Sequence, residues 1–257
     1  QTGKERVLVT CVHVHDAPIA DLEAERILLE HKAAGSICDL DFHERAVQRV
    51  GIALRNSLRS PRPITHFGIG QAKVEKVASN RRFLDAAGKI SFSRTSSTRD
   101  PRAHEQPEGT MDPRLKTLSF WDGNRPVAAL NFYATHPMSY YGKGGVSDDF
   151  VGLARRRRQA DDAKVFQIYI SGCSGNVTAG KYNDGAPENR PMLADRIYQA
   201  MTAAWKNTKR YPLEPVNCRV VPLQLAPRND PAFTVEGLTK RLATDPKPFG
   251  QCLAALG

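Results

Sequence analysis

Residues 115–133 constrain the fold more than any other part of the chain. The runs 115–121 and 127–133 are rich in β-branched and aromatic residues and flank Asp122-Gly123-Asn124, a turn signal that joins neighbouring antiparallel strands. A hairpin cannot bury its apolar face alone, so further layers must follow. They are legible downstream, where residues 149–159 read as a helix, 165–170 as a buried strand and 190–205 as a long amphipathic helix. Upstream, residues 7–14 read as a strand and 21–34 and 41–58 as amphipathic helices; in the second of these Ala46, Val50 and Leu54 recur every fourth residue. Residues 64–69 and 73–77 look like short strands, 91–113 like a long Ser-, Thr-, Arg- and Pro-rich loop, 218–225 like a strand and 235–243 like a short helix. Strands and helices alternating on this scale predict an α/β fold, a layered sandwich with a mixed central sheet flanked by helices. There is no internal repeat.

Composition excludes several classes. Among 257 residues, 40% are hydrophobic and 25% charged, the balance of a globular chain with ample length for a buried core. No apolar run approaches the roughly 20 residues of a membrane-spanning helix, and the first residues lack the apolar stretch of a signal peptide. Five separated cysteines with no CxxC pair argue against a zinc ribbon or a dense disulfide framework. The net charge of +10 is spread along the chain, and its densest run, Arg155 to Arg158, is followed by Asp161 and Asp162. With no recognition-fold signature beside it, the charge does not predict a nucleic-acid partner; a basic module that binds anionic lipid or nucleic acid without catalysis is the rival to an enzyme.

Chemistry concentrates where the expected strands end. Residues 7–14 run into His13-Val14-His15, and side chains two apart on a strand share one face at roughly 6 to 7 Å. Such a pair suits a metal ligand beside an acid–base group, or equally two hydrogen-bonded histidines at a sheet edge. His136 arrives in a similar setting, where strand 127–133 breaks into Ala134-Thr135-His136-Pro137. A catalytic zinc usually has three protein ligands and an open position, so the histidines need a further partner; Asp149 is a candidate, or a helix cap. Residues 171–180, SGCSGNVTAG, follow a strand and combine glycines with hydroxyls. They approach the nucleophile elbow GxSxG, but Asn176 replaces its last glycine and a loop replaces its helix, leaving a serine hydrolase using Ser174 as a minor alternative. Asn176-Val177-Thr178 also matches a glycosylation sequon.

Taken together, residues 10–18 (TCVHVHDAP), Asn80-Arg81, residues 131–139 (NFYATHPMS), residues 147–154 and Gly175-Asn176-Val177-Thr178 resemble, in order and approximate spacing, the neutral/alkaline (non-lysosomal) ceramidase family. The match runs over about residues 5 to 185, and the chain as a whole is similar to one partial catalytic domain of that family, lacking N- and C-terminal portions. What the resemblance implies is a zinc-dependent amidohydrolase that cleaves the N-acyl bond of ceramide or a related lipid amide, with a lipid or small-molecule substrate, peripheral contact with a membrane surface, and an extracellular or periplasmic location. By the same resemblance His13 and His136 match zinc ligands, His15 matches the neighbouring active-site histidine, Arg81 and Asn176 face substrate, and Thr178 falls where the family has a serine. The family's other zinc ligands, a glutamate and a tyrosine, lie beyond the matched stretch, so the isolated chain is expected to bind zinc weakly and a longer version to recover zinc and activity. Asp16-Ala17 replaces the family's serine-glycine, and Asn176-Val177-Thr178-Ala179 replaces its Asp-Val-Ser-Pro. Both changes adjoin the reaction centre and favour hydrolysis of an amide or ester over ceramide specifically.

Overall fold

The computed structural model describes residues 3, 6–143, 145–217, 219–226 and 229–257. In chain order the elements are α1 (Leu22–Glu30), α2 (Leu40–Ser57), β1 (His66–Lys73), β2 (Ser79–Asn80), β3 (Arg82–Leu84), β4 (Ile90–Ser93), α3 (Pro101–Glu105), β5 (Arg114–Asp122), β6 (Arg125–Tyr133), α4 (Asp149–Asp161), β7 (Phe166–Ser171), β8 (Val177–Thr178), α5 (Asn189–Lys206), β9 (Lys209–Pro212), α6 (Val235–Thr244) and α7 (Pro248–Ala255). They fall into two compact units, Gln1–Ala17 with Arg62–Cys218 and Pro18–Pro61 with Arg219–Gly257. Among the described residues no helix is long and apolar enough to cross a membrane.

The first unit is the expected α/β layer structure. Its sheet runs in the order β7-β6-β5-β1-β9, antiparallel throughout except for the parallel β6–β7 pair. The hairpin forms where its turn signal lies: Gly123 takes a φ of +57°, and its N–H donates to Thr65 Oγ1 at 2.7 Å. Helices α4 and α5 cover one face, burying Phe150, Val151, Leu193, Ile197 and Met201 against Leu115, Tyr133 and Tyr169. That face also carries polar side chains, tolerated because they bond to one another across three strands. Thr117 Oγ1 donates to Asn131 Oδ1 at 2.8 Å, and Asn131 Nδ2 to Gln167 Oε1 at 3.1 Å.

Several sequence expectations require correction. The strand expected at 64–69 is β1, which runs on through Gly70 to Lys73, and 74–77 of the strand expected at 73–77 lie outside it; at Gly70 α5 lies close, and a Cβ there would meet the Ala204 carbonyl at 2.1 Å. Residues 7–14 form no strand: Leu8 and Val9 are each 86% exposed, and alternation without a hydrogen-bonding neighbour does not hold a strand. The same holds for 219–225, whose apolar residues are exposed, while Cys218 lies outside the described residues. The loop expected at 91–113 contains the end of β4 and the short α3. Edge strand β9 was not expected as an element; all four residues of Lys209-Arg210-Tyr211-Pro212 are exposed and carry no alternation to read.

The second unit packs Leu28 of α1 against Leu242 of α6 and Ala254 of α7. Its polar anchor is Glu25, a buried carboxylate that accepts from Ile37 N at 2.6 Å, Cys38 N at 3.0 Å and Ser36 Oγ at 3.0 Å. These donors, the Ile37 amide first, hold the Glu25 carboxyl below its ordinary value of 4.5. A depressed carboxyl contributes stability above its unfolded value and loses it as pH falls through the folded one. Glu25→Ala is therefore expected to destabilise this unit by about 2–4 kcal/mol at neutral pH, and by less as acid protonates the wild-type carboxyl. Urea melts of both proteins at pH 7 and pH 3 measure this, and an equal loss at the two pH values would refute it.

Candidate metal centre

Two distant segments of the first unit bring three imidazoles together. The first, Val12 to Asp16, is held to the end of β7 by Ser171 Oγ, which donates to the Val12 carbonyl at 2.7 Å, and to the 140s loop by Ser147 N, which donates to Asp16 O at 2.8 Å. Between these anchors His13 adopts a φ of +65°, a left-handed turn uncommon outside glycine, asparagine, aspartate and histidine. The turn explains why the strand spacing does not apply: the His13 and His15 ring centroids stand 4.9 Å apart, closer than strand neighbours two apart.

His136 comes from the other side. Past the end of β6 its N–H donates to Val177 O at 3.0 Å, and its Nδ1 lies 2.8 Å from the Ser174 carbonyl. A carbonyl can only accept, so Nδ1 carries the proton and Nε2 keeps its lone pair. The His136 centroid is 4.9 Å from that of His13 and 5.7 Å from that of His15, and one nitrogen from each ring lies within 4.8 Å of the others. Burial, then the neighbouring His13 and His136 rings, pushes the His15 pKa below 6.5. Burial also lowers that of His136, reinforced by Arg81 and His13 and opposed by the Ser174 carbonyl. Both rings are thus favoured in the neutral form that ligates metals.

The residues fit a transition metal. Three imidazole nitrogens, one ring of fixed tautomer, are the donor set of zinc rather than of calcium or magnesium, which take oxygen. His15 Nδ1 is buried without a hydrogen-bond partner, a cost that a bound ion or a substrate group would relieve.

Around the trio, Arg81 Nη1 lies 3.5 Å from His136 Nε2. Its backbone is clamped on both sides: Arg81 N donates to Asn176 O at 2.9 Å, and Arg94 N donates to Arg81 O at 2.7 Å. Beneath it Arg94 is fully buried and spends its guanidinium on the carbonyls of Asn80, Gln106 and Pro107. Strand β8 pairs with β2 so that Thr178 opposes Ser79 and Val177 opposes Asn80. Thr178 is fully buried, and its Oγ1, like Asn176 Oδ1, has no hydrogen-bond partner.

Other candidates stand apart from the trio. The Asp149 carboxylate is spent on Ser139 N, Ser139 Oγ and Phe150 N at 3.0, 2.7 and 2.6 Å, so it is no free ligand. Ser174 contributes its carbonyl, and strand β8 rather than a helix follows it, unlike an elbow nucleophile. Of the basic run, Arg156 pairs with Asp148, Arg157 with Asp195, and Arg158 with Asp161. Arg94 and Arg190 were not singled out from sequence; nothing in their local pattern separates them from surface arginines.

No family model matches the chain, and no curated protein matches it either. Two solved structures do. One, described as a crystal structure analysis of neutral ceramidase from Pseudomonas aeruginosa, overlays with a TM-score of 0.48 at 15% identity, over 66% of this chain and 27% of that one. The other, described as ceramidase complexed with C2, overlays at 0.39 with 16% identity, over 55% and 22%. The chain thus spans about a quarter of the length of these proteins.

Proposed function

We propose that this chain carries the histidine centre of a zinc-dependent amidohydrolase of neutral-ceramidase type, cleaving the N-acyl bond of a lipid amide outside the cytoplasm. The convergence of His13, His15 and His136 beside Arg81 carries the reading, and the residue-by-residue resemblance supports it. His13 and His136 would hold the ion through one ring nitrogen each, that of His136 being Nε2. Zinc in such a site supplies a Lewis acid that polarises a carbonyl and acidifies water.

The remaining roles follow from the side chains. His15 has a depressed pKa and an uncommitted buried nitrogen, which suit it to take a proton from the attacking water and return it to the leaving amine. Arg81 has a guanidinium that only donates, so it serves an oxyanion or a carboxylate product. Thr178 and Asn176 each keep an unspent oxygen for orienting the amide or the water. Threonine is a weak nucleophile without an activating base, and attack is left to water.

Zinc titration and hydrolysis of a fluorogenic N-acyl amide, on this chain and on a C-terminally extended version, test the reading. Stoichiometric zinc with hydrolysis in the extended version supports it; no zinc and no hydrolysis in either overturns it. His15→Ala is expected to leave zinc content nearly intact while turnover falls roughly 10²-fold or more. Equal zinc loss in His13→Ala and His15→Ala would instead make His15 a third ligand.

A further inference from the structure

We propose that Arg190 is a positioning residue for His15, acting through Asp16; this rests on the trio being a hydrolytic metal centre. Arg190 stands in the first turn of α5 with its side chain 14% exposed. One guanidinium serves two carboxylates there: its Nη2 is 3.7 Å from Asp16 Oδ2 and 3.5 Å from Asp149 Oδ2, with those side chains 13% and 4% exposed. The same fork donates to Ser139 Oγ at 2.8 Å, Ser147 Oγ at 3.2 Å and the Tyr140 carbonyl at 2.8 Å, and its Cζ lies 3.7 Å from the centroid of the Tyr140 ring.

Asp16 connects this fork to the centre. It follows His15 directly, its Oδ1 accepts from Gly142 N at 2.9 Å, and its carbonyl accepts from Ser147 N at 2.8 Å. The residue after His15 is therefore tied at two points to a loop that Arg190 holds, and at a third to Arg190 itself. Without the cation, the Asp16 and Asp149 carboxylates repel one another, and Asp16 gains by moving to water and taking His15 with it. His13 and His136 hang on other anchors, Val12 O to Ser171 and Ser174 O, so the effect is specific to one ring of the trio. A lysine at 190 supplies a point charge but not the fork.

The test uses the full chain with Arg190→Lys, Arg190→Gln, Asp16→Asn and the Asp16→Asn/Arg190→Lys double variant. In metal-free protein, NMR follows the His15 and His104 ring signals and amide exchange at Gly142 and Ser147. Asp16→Asn and Arg190→Lys are each expected to move the His15 signals and speed both amides about tenfold, leave His104 unmoved, and in combination do no more than the larger single change. Arg190→Gln strands the buried Asp149 carboxylate and is expected to unfold; Asp16→Asn leaves Arg190 on Asp149 and keeps the test open. In the zinc-loaded, C-terminally extended version that hydrolyses amide, the two single variants should lose about 10–100-fold in turnover, with Arg190→Lys the milder. Unmoved His15 signals in folded Asp16→Asn, or additive effects in the double variant, overturn the proposal. Absence of zinc binding in the C-terminally extended wild type as well would overturn the metal-centre reading instead, and the metal-free signals would still decide whether Arg190 holds His15.

Discussion

His136→Ala and His13→Ala are each expected to weaken zinc binding by at least about 100-fold, more than the loss of an outer-sphere partner costs. Neither ligand can be spared from a site with three converging imidazoles, and the nearby Asp149 carboxylate is no substitute, being committed to Ser139 and Phe150. The loss should appear as stability too. Zinc at 100 times its dissociation constant stabilises the wild type by about 2.7 kcal/mol, and this increment should vanish in both variants. His104→Ala is the control: that ring bonds the Lys181 and Thr98 carbonyls, and its removal should leave the zinc increment intact. The pH dependence follows from the same geometry. His15 and His136 titrate below 6.5 because burial penalises their charged forms, so zinc occupancy should persist below pH 6.5, further into acid than ordinary imidazoles allow, and be lost as pH falls through the depressed values. In metal-free protein the unfolded chain binds more protons than the folded one just below 6.5, so stability should fall as acid is added through that range. Competition with a chelating dye, together with melts with and without zinc, measures all of this; a retained increment in His136→Ala would exclude it as a ligand.

Sequence carried the sheet and its helices because both are periodic. The hairpin, α4, β7 and α5 each repeat a burial pattern over several residues, and their positions agree with the expected ones to within a few residues. His136 was legible for a related reason, standing where such a pattern stops at Thr135-His136-Pro137. The His13–His15 segment was legible in residue type but not in shape. Its alternation reads as a strand, yet no neighbour pairs with it, and a single left-handed residue sets the approach of the two rings. Nothing periodic marks such a turn. Arg190 and Arg94 were invisible because their importance lies in carbonyls and carboxylates supplied from remote parts of the chain, a property of the tertiary structure alone.

Arg81→Ala should separate binding from turnover in opposite directions. In the folded chain the Arg81 guanidinium lies 3.5 Å from His136 Nε2, the atom offered to the metal. A cation that close disfavours a second one, so its removal should tighten zinc binding several-fold. The same guanidinium is a donor-bearing cation beside the trio, and losing a preorganised oxyanion donor typically costs 10²–10³ in turnover. The fold should tolerate the change: Arg81 is held by its own backbone, through Asn176 O and Arg94 N, and alanine keeps both bonds. Arg81→Lys should recover part of the turnover, because a point charge can approach the oxyanion but cannot reproduce a planar fork. Zinc affinity by dye competition and turnover of a fluorogenic amide, taken on the same preparations of the extended version, give both numbers. If Arg81→Ala lowers zinc affinity and turnover together, Arg81 supports the ligands and has no role toward substrate; if turnover is unchanged, the oxyanion is met elsewhere.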